Sequence, residues 1–280
     1  MPLTPFDDYP IHQTSLPVAH PGTADRNYYD RYFFNGYDPD EGWFFAVAMG
    51  IYPNRRVIDA AFSVVHDGAQ RSVFASGRAP LDRGRTRIGP ISIEVAEPLR
   101  TLRVHVEPGD HGLAADLTFD ARTMVVEEPR MTIDDGAVTV LDSTRLVQWG
   151  SWHGTIDADG SQIVAEPRRA RGTRDRSWGV RPVGEPAGGV PTGVAGGGLF
   201  FIWAPVHFEY ECTHLALFER PDIGRFYSSA LAVPVAPAGA PMFGAEESLR
   251  HAGRVSYALS LEPGTRRSSS VADVQLRGLG

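Results

Sequence analysis

Two segments of this chain concentrate the side chains that do chemistry. The first is Arg171–Arg181, RGTRDRSWGVR, where Arg171, Arg174, Arg176 and Arg181 surround one carboxylate, Asp175, and one indole, Trp178. Alternate residues of an extended backbone point to opposite faces, so Arg174, Arg176 and Trp178 share one face and Asp175 takes the other. Two uses fit this pattern. The guanidinium charges can hold Asp175 ionised or orient an anionic ligand. The same forks can close a barrel end, with Trp178 as a plug. The second segment is His207–His214, HFEYECTH. On a strand, His207, Glu209 and Glu211 would share a face. One imidazole with two carboxylates suits iron, manganese or zinc. Acid–base chemistry suits the segment better: a glutamic acid partly desolvated beside aromatic rings has a raised pKa and can protonate an alkene. A solvated strand face, with Phe208, Tyr210 and Cys212 turned to the core, fits the alternation as well.

Other residues extend the list. Tyr28, Tyr29, Tyr32, Phe33, Phe34 and Tyr37 cluster around Asp30, Arg31 and Asn35. Tyrosines such as Tyr32, with an apolar body and a polar tip, suit an apolar pocket needing a few hydrogen bonds, which Asn35 could complete; the same cluster could seal one barrel end. In Trp149–Gly154, WGSWHG, the serine directly follows the first glycine, so the nucleophile pattern G-x-S-x-G fails. His153 there is either a ligand-facing base or a half-buried structural histidine. Cys212 stands alone with no basic flank and reads as an inert thiol.

Composition removes whole chemistries. All 27 basic residues are arginine. Without lysine there is no Schiff base and no phosphate-clamping lysine. One cysteine excludes disulfide frameworks and multi-cysteine metal sites. No G-x-G-x-x-G opens a nucleotide site. Neither cofactor nor metal is expected. A net charge of −7 makes nucleic acid a poor partner. No apolar run nears the ~20 residues of a membrane span, and no secretory leader is visible at the N-terminus. A cytoplasmic location fits these features.

The elements that must position these residues are short strands. Thirty glycines and 22 prolines punctuate the chain and leave little room for long helices. Strand-like runs flank turn signals: Gly42–Ile51 and Val57–Val65 around Pro53-Asn54, Leu102–Val106 and Leu113–Phe119 around Pro108–Gly112, and Trp149–Ile156 and Gln162–Glu166 around Asp157–Gly160. Met131–Ile133 and Ala137–Leu141 enclose Asp134-Asp135-Gly136. Further runs follow at Leu199–Trp203, Leu215–Glu219, Ser228–Val233, Val255–Leu261 and Val271–Leu276, the last ending close to Gly280. Such spacing predicts an antiparallel sandwich or barrel. Ala24–Phe33 and Ala245–His251 are the helical candidates, both short, and Pro182–Gly198 reads as a flexible loop.

The Arg171–Arg181 string, together with Tyr28–Trp43 (YYDRYFFNGYDPDEGW), resembles the carotenoid 1,2-hydratase-like, or AttH-like, family. The resemblance implies an all-β fold of two tandem lipocalin-like antiparallel β-barrels or curled sheets with few short helices. Residues 1–25 would be an N-terminal arm, 26–165 the first domain and 166–280 the second. It also implies an apolar pocket for a terpenoid, polyene or steroid-like ligand, and hydratase or cyclase chemistry. In that setting Asp175, Glu209 and Glu211 are the candidate acids. Arg174 and Arg176 would position the acid or a substrate oxygen. The faces of Tyr32, Trp178 and Trp203 would shield a developing cation, with Asn35, His153 and His207 completing the substrate contacts. The expected partner is a hydrophobic small molecule, with a homodimer left open. Three functions remain: a cofactor-independent lyase or isomerase, a pericyclase that shapes a polyene without proton transfer, and a carrier of a lipophile.

Overall fold

A computed structural model describes residues 3–135, 138–183, 198–261, 263 and 269–279. Among them the helical elements are 3-10 turns of four residues or fewer, and the rest of the regular structure is strand. The chain divides into two units, Met1–Ala195 and Gly196–Gly280.

The first unit holds β1 (Tyr28–Asp38), β2 (Trp43–Tyr52), β3 (Val57–His66), β4 (Ala69–Arg78), β5 (Arg87–Ile88), β6 (Ile91–Glu97), β7 (Thr101–Val106), β8 (Leu113–Ala121), β9 (Val126–Asp135), β10 (Val138–Ala158), β11 (Ser161–Ala165) and β12 (Arg171–Val180). Their order is β4-β3-β2-β1-β12-β10-β8-β7-β6-β5, with β9 and β11 also paired to β10. All pairs are antiparallel, and the sheet curls into a nearly closed barrel. Period-two alternation explains the closure. Trp43, Phe45, Val47, Met49 and Ile51 on β2 and Ile58, Ala60, Phe62 and Val64 on β3 all point into one core. At its centre the Trp152 indole meets Phe34, Phe45 and Phe119 edge-on, with ring centroids 5.0–5.8 Å apart.

The second unit holds β13 (Phe200–His207), β14 (Glu211–Arg220), β15 (Gly224–Pro234), β16 (Arg250–Leu261) and β17 (Ser269–Leu279), paired in that order as a curled half-barrel. Leu215, Leu217 and Ala230 centre its core against Ile202, Val255 and Leu276.

Several expectations change. Ala24–Phe33 is not helical: it is a loop followed by β1, whose aromatic residues alternate in and out between two neighbouring strands. Ala245–His251 holds only a 3-10 turn, Glu246–Ser248, before β16 begins. The motif strand β12 pairs with β1 and β10, so it belongs to the first unit rather than opening a second domain at 166. Both neighbours would otherwise present open edges, which β12 covers. The expected loop at Pro182–Gly198 lies, for 184–197, outside the described residues, as does Gly136 of the Asp134–Gly136 turn. Residues 3–27 hold one 3-10 turn and no strand. They are tied down where Asn54 Nδ2 donates to the Thr23 and Asp25 carbonyls, both at 2.8 Å.

Candidate functional site

The strand registers assemble a polar row across the outer face of the first sheet. Asp59 on β3 lies opposite Gly50 on β2, Gly50 opposite Arg31 on β1, and Arg31 opposite Ser177 on β12. Ser177 in turn lies opposite Arg145 on β10, and Arg145 opposite Glu128 on β9. Paired residues share a face, and strands stand ~4.8 Å apart, so these six positions form one line. The adjoining row reads Phe74, Ala61, Ala48, Phe33, Asp175, Val147 and Val126. Asp175 is thus the carboxylate in an otherwise apolar row, flanked by the arginines of the polar one.

Its geometry follows from that position. Asp175 is buried, at 6% exposure, and Arg31 Nη2 approaches its Oδ1 at 3.4 Å. Arg145 Nε stands 4.0 Å from Oδ2, and Arg145 Nη1 also reaches Glu128 Oε2 at 3.5 Å. Glu128 is buried as well. Burial raises the Asp175 pKa above the ordinary carboxylate value, Arg31 and then Arg145 oppose that rise, and the Glu128 charge adds to it. Two carboxyls and two guanidinia therefore share a desolvated patch, a setting that holds a proton more firmly than water does.

Arg174 and Arg176 take the face opposite Asp175, as the alternation predicts, and point into the barrel, so they do not serve as the expected positioning groups for that carboxyl. Arg174 Nε donates to Gln148 Oε1 at 2.8 Å, and Gln148 Nε2 donates on to the Leu99 and Thr123 carbonyls. Arg176 pairs with Asp30, which also receives Arg83 Nη2 at 3.0 Å. Its guanidinium lies 4.1 Å from the centre of the Tyr32 ring. Burial lowers both arginine pKa values to about 10, which leaves them charged at neutral pH. The alternation of a strand makes this outcome necessary: neighbours of Asp175 in sequence cannot be its neighbours in space. The arginines that reach it come from β1 and β10 instead. Trp178 is half-buried on the Arg174 face, opposite Asp30 and Thr144.

Asn35 serves the backbone. Its Oδ1 accepts from the Thr173 amide at 2.9 Å, and its carbonyl accepts from Trp152 Nε1 at 2.8 Å. Gly172 permits this approach, since a Cβ there would overlap the Asn35 carbonyl oxygen and the Trp152 indole. His153 is a partly exposed residue beside Asp120, 3.2 Å away, and none of the other candidates adjoins it in the strand pairing.

The HFEYECTH segment is not one continuous strand. His207 ends β13, residues 208–210 turn, and Glu211 begins β14, with the Phe208 amide bonded to the Glu211 carbonyl at 2.9 Å. The turn leaves Phe208 and Tyr210 exposed instead of in the core, and removes His207, Glu209 and Glu211 from a common strand face. Glu209 is exposed. Glu211 pairs with Arg250 and, with Thr213, is one of the polar residues on an apolar cavity of about 340 Å³ walled by Phe208, Leu215 and Leu276 inside the half-barrel. His207 Nδ1 stands 3.9 Å from Cys212 Sγ, and Trp203 meets His214 edge-on at 5.8 Å. No group of three or more His, Cys, Asp or Glu side chains placed to hold a metal occurs among the described residues. No helix among them is long and apolar enough to cross a membrane.

Arg145, Glu128 and Asp59 were not among the candidates read from sequence, and Arg31 entered only through the tyrosine cluster, not as a partner of Asp175. They sit on four different strands at unrelated spacings, and only the pairing of the sheet joins them.

A nearly closed antiparallel barrel and a curled half-barrel, with a buried carboxyl on one sheet face, define an all-β protein. Among solved structures the chain is similar to kievitone hydratase from Nectria haematococca (TM-score 0.56, 14% identity, 89% of this chain and 73% of that one). It is similar also to an AttH candidate from Nitrosomonas europaea (0.59, 13%, 94% and 84%) and to CghA solved with Sch210972 (0.50, 13%, 89% and 71%). At these identities the likeness is one of fold. No curated protein matches the sequence. The chain belongs to a family of unknown function, DUF8625, whose model matches residues 3–278.

Proposed function

We propose that this chain is a cofactor-independent lyase or isomerase of hydratase or cyclase type, acting on a hydrophobic terpenoid, polyene or steroid-like molecule, with Asp175 as the acid. The observation that carries this reading is the buried Asp175 carboxyl, its pKa raised by desolvation and its conjugate base met by Arg31 and Arg145. In the hydration direction the Asp175 carboxyl gives its proton to one alkene carbon. Water adds to the cation at the other carbon, and its surplus proton returns to the carboxylate pair of Asp175 and Glu128. The guanidinia hold the carboxylate charge between the steps. The apolar row supports the reading: two strands beyond the acid, Ala48, Ala61 and Phe74 line an open cleft of about 500 Å³ suited to an apolar body.

The test uses kievitone, named for the hydratase of similar fold, with mass spectrometry to detect addition of water. Asp175→Asn should abolish the product while circular dichroism shows the fold intact. Turnover retained in that variant would remove Asp175 from the mechanism. Carriage of a lipophile is a second reading, favoured by the apolar cavity of the second unit, where Glu211 is already paired with Arg250. Native mass spectrometry showing a bound lipophile that the protein leaves unaltered would support carriage over catalysis.

A further inference from the structure

We propose that the cleft formed by Tyr52, Asp59 and Arg181 binds an acidic hydroxyl group, a phenol or an enol, carried by a lipophilic ligand. The cleft is open, about 410 Å³, with Val57 and Val183 as apolar walls. The Arg181 guanidinium stacks over the Tyr29 ring at 4.5 Å and lies within hydrogen-bonding reach of the Tyr52 hydroxyl. Its Nε is buried and has no hydrogen-bond partner among the described residues. Tyr52, accepting from Arg181, keeps its own proton to donate. Asp59 is held by the Gly50 amide, and desolvation raises its pKa.

Gly50 makes this convergence fit. A Cβ there would stand 2.5 Å from the Tyr52 hydroxyl oxygen and 2.9 Å from Asp59 Oδ1. With glycine, both polar tips fold over β2 toward each other.

The donor and acceptor pattern selects the ligand. Tyr52 and Arg181 offer hydrogens to an oxygen, and Asp59 offers an oxygen to a hydrogen, so the ligand group must accept and donate at once. A hydroxyl does so; a carboxylate does not, and Asp59 repels it. The charge balance selects further. Arg55 is already committed to the Arg26 carbonyl at 2.9 Å and Asn27 Oδ1 at 2.8 Å, but its charge remains beside the cleft. Two cations against one carboxylate favour an oxygen that tolerates negative charge, hence a phenol or enol over an aliphatic alcohol. Arg31 acts electrostatically on Tyr52 and pairs with Asp175, so this cleft adjoins the acid. The role of the cleft in turnover rests on the proposed lyase reading; the binding does not.

The probe is 4-nitrophenol, added to the full chain, with calorimetry for affinity and phenolate absorbance for ionisation. Saturable binding with a lowered apparent pKa of the bound probe is expected. Tyr52→Phe and Arg181→Gln should each weaken it by about tenfold or more, the scale of one hydrogen bond to a charged group. Asp175→Asn should leave it unchanged, and 4-nitrobenzoate should not compete. Absence of saturable binding, equal binding of 4-nitrobenzoate, or unchanged affinity in both Tyr52→Phe and Arg181→Gln chains of native circular dichroism would overturn the inference. Turnover retained by Asp175→Asn alongside intact probe binding would refute the acid and leave the cleft standing.

Discussion

Gly172→Ala tests whether the positioning of β12 depends on one close approach. A Cβ at 172 would overlap the Asn35 carbonyl oxygen and Trp152 Nε1 and lie 2.9 Å from Trp152 Cδ1. Neither obstacle yields easily. Asn35 is backbone, and the Trp152 indole is fully buried among Phe34, Phe45 and Phe119. Overpacking a core of this kind costs ~1–3 kcal/mol. Pushing the indole N–H off its 2.8 Å bond to Asn35 leaves a buried donor unpaired, about another 1–3 kcal/mol. The mid-range sum is ~4 kcal/mol, which at ~2–4 °C per kcal/mol for a unit of this size lowers Tm by roughly 8–16 °C. Thermal unfolding followed by near-ultraviolet dichroism, where Trp152 should dominate the lost signal, reads both the shift and its origin. Gly22→Ala is the control, since its nearest atom is an ordinary 3.6 Å away and its change should stay within ~0.5 kcal/mol. A loss under ~1 kcal/mol in Gly172→Ala would refute the packing argument, because shifting a buried ring or a backbone carbonyl costs at least about that much.

Further outcomes follow from the same contacts. Because burial holds the Asp175 pKa above 3.8, its stabilising contribution is fully present below that value and is lost as pH rises through the folded-state pKa. Denaturant unfolding should therefore show the wild type losing stability relative to Asp175→Asn as pH rises above 3.8 and through the raised folded-state pKa. Arg31→Gln removes the larger of the two opposing charges, so the carboxyl pKa should rise further, readable by carbon NMR of the labelled aspartates. Asn35→Ala leaves the Thr173 amide without its 2.9 Å acceptor and should cost ~1–3 kcal/mol in chemical denaturation. Glu211→Gln breaks a partly exposed pair with Arg250, so stability in chemical denaturation should change by under ~1 kcal/mol.

Local alternation made much of the fold legible. The runs at Gly42–Ile51 and Val57–Val65 became β2 and β3 with ends shifted by a residue, because turn residues and period-two patterning act over short range. Tyr28–Phe33 misled as a helix because its aromatic residues satisfy more than one period, and only pairing on both sides decides between them. HFEYECTH misled in the opposite way. Its alternation is strand-like, yet the chain reverses there, and no Gly or Pro announces the turn. Of the candidate site, Asp175 stands out in its string, but the arginines that meet it, Arg31 and Arg145, depend on register between strands far apart in sequence, which one sequence does not display.

The pairing of β1 with β12 also carries a kinetic consequence. Arg31 and Asp175 are 144 residues apart, so the acid and its guanidinium meet only across the seam that completes the sheet. Such contacts form late, because a long loop must close before they are gained. During synthesis, β1 must wait with an open edge until Arg171–Val180 has emerged. A chain cut short before that strand would keep the local hairpins β1–β2–β3–β4 and lack the acid entirely.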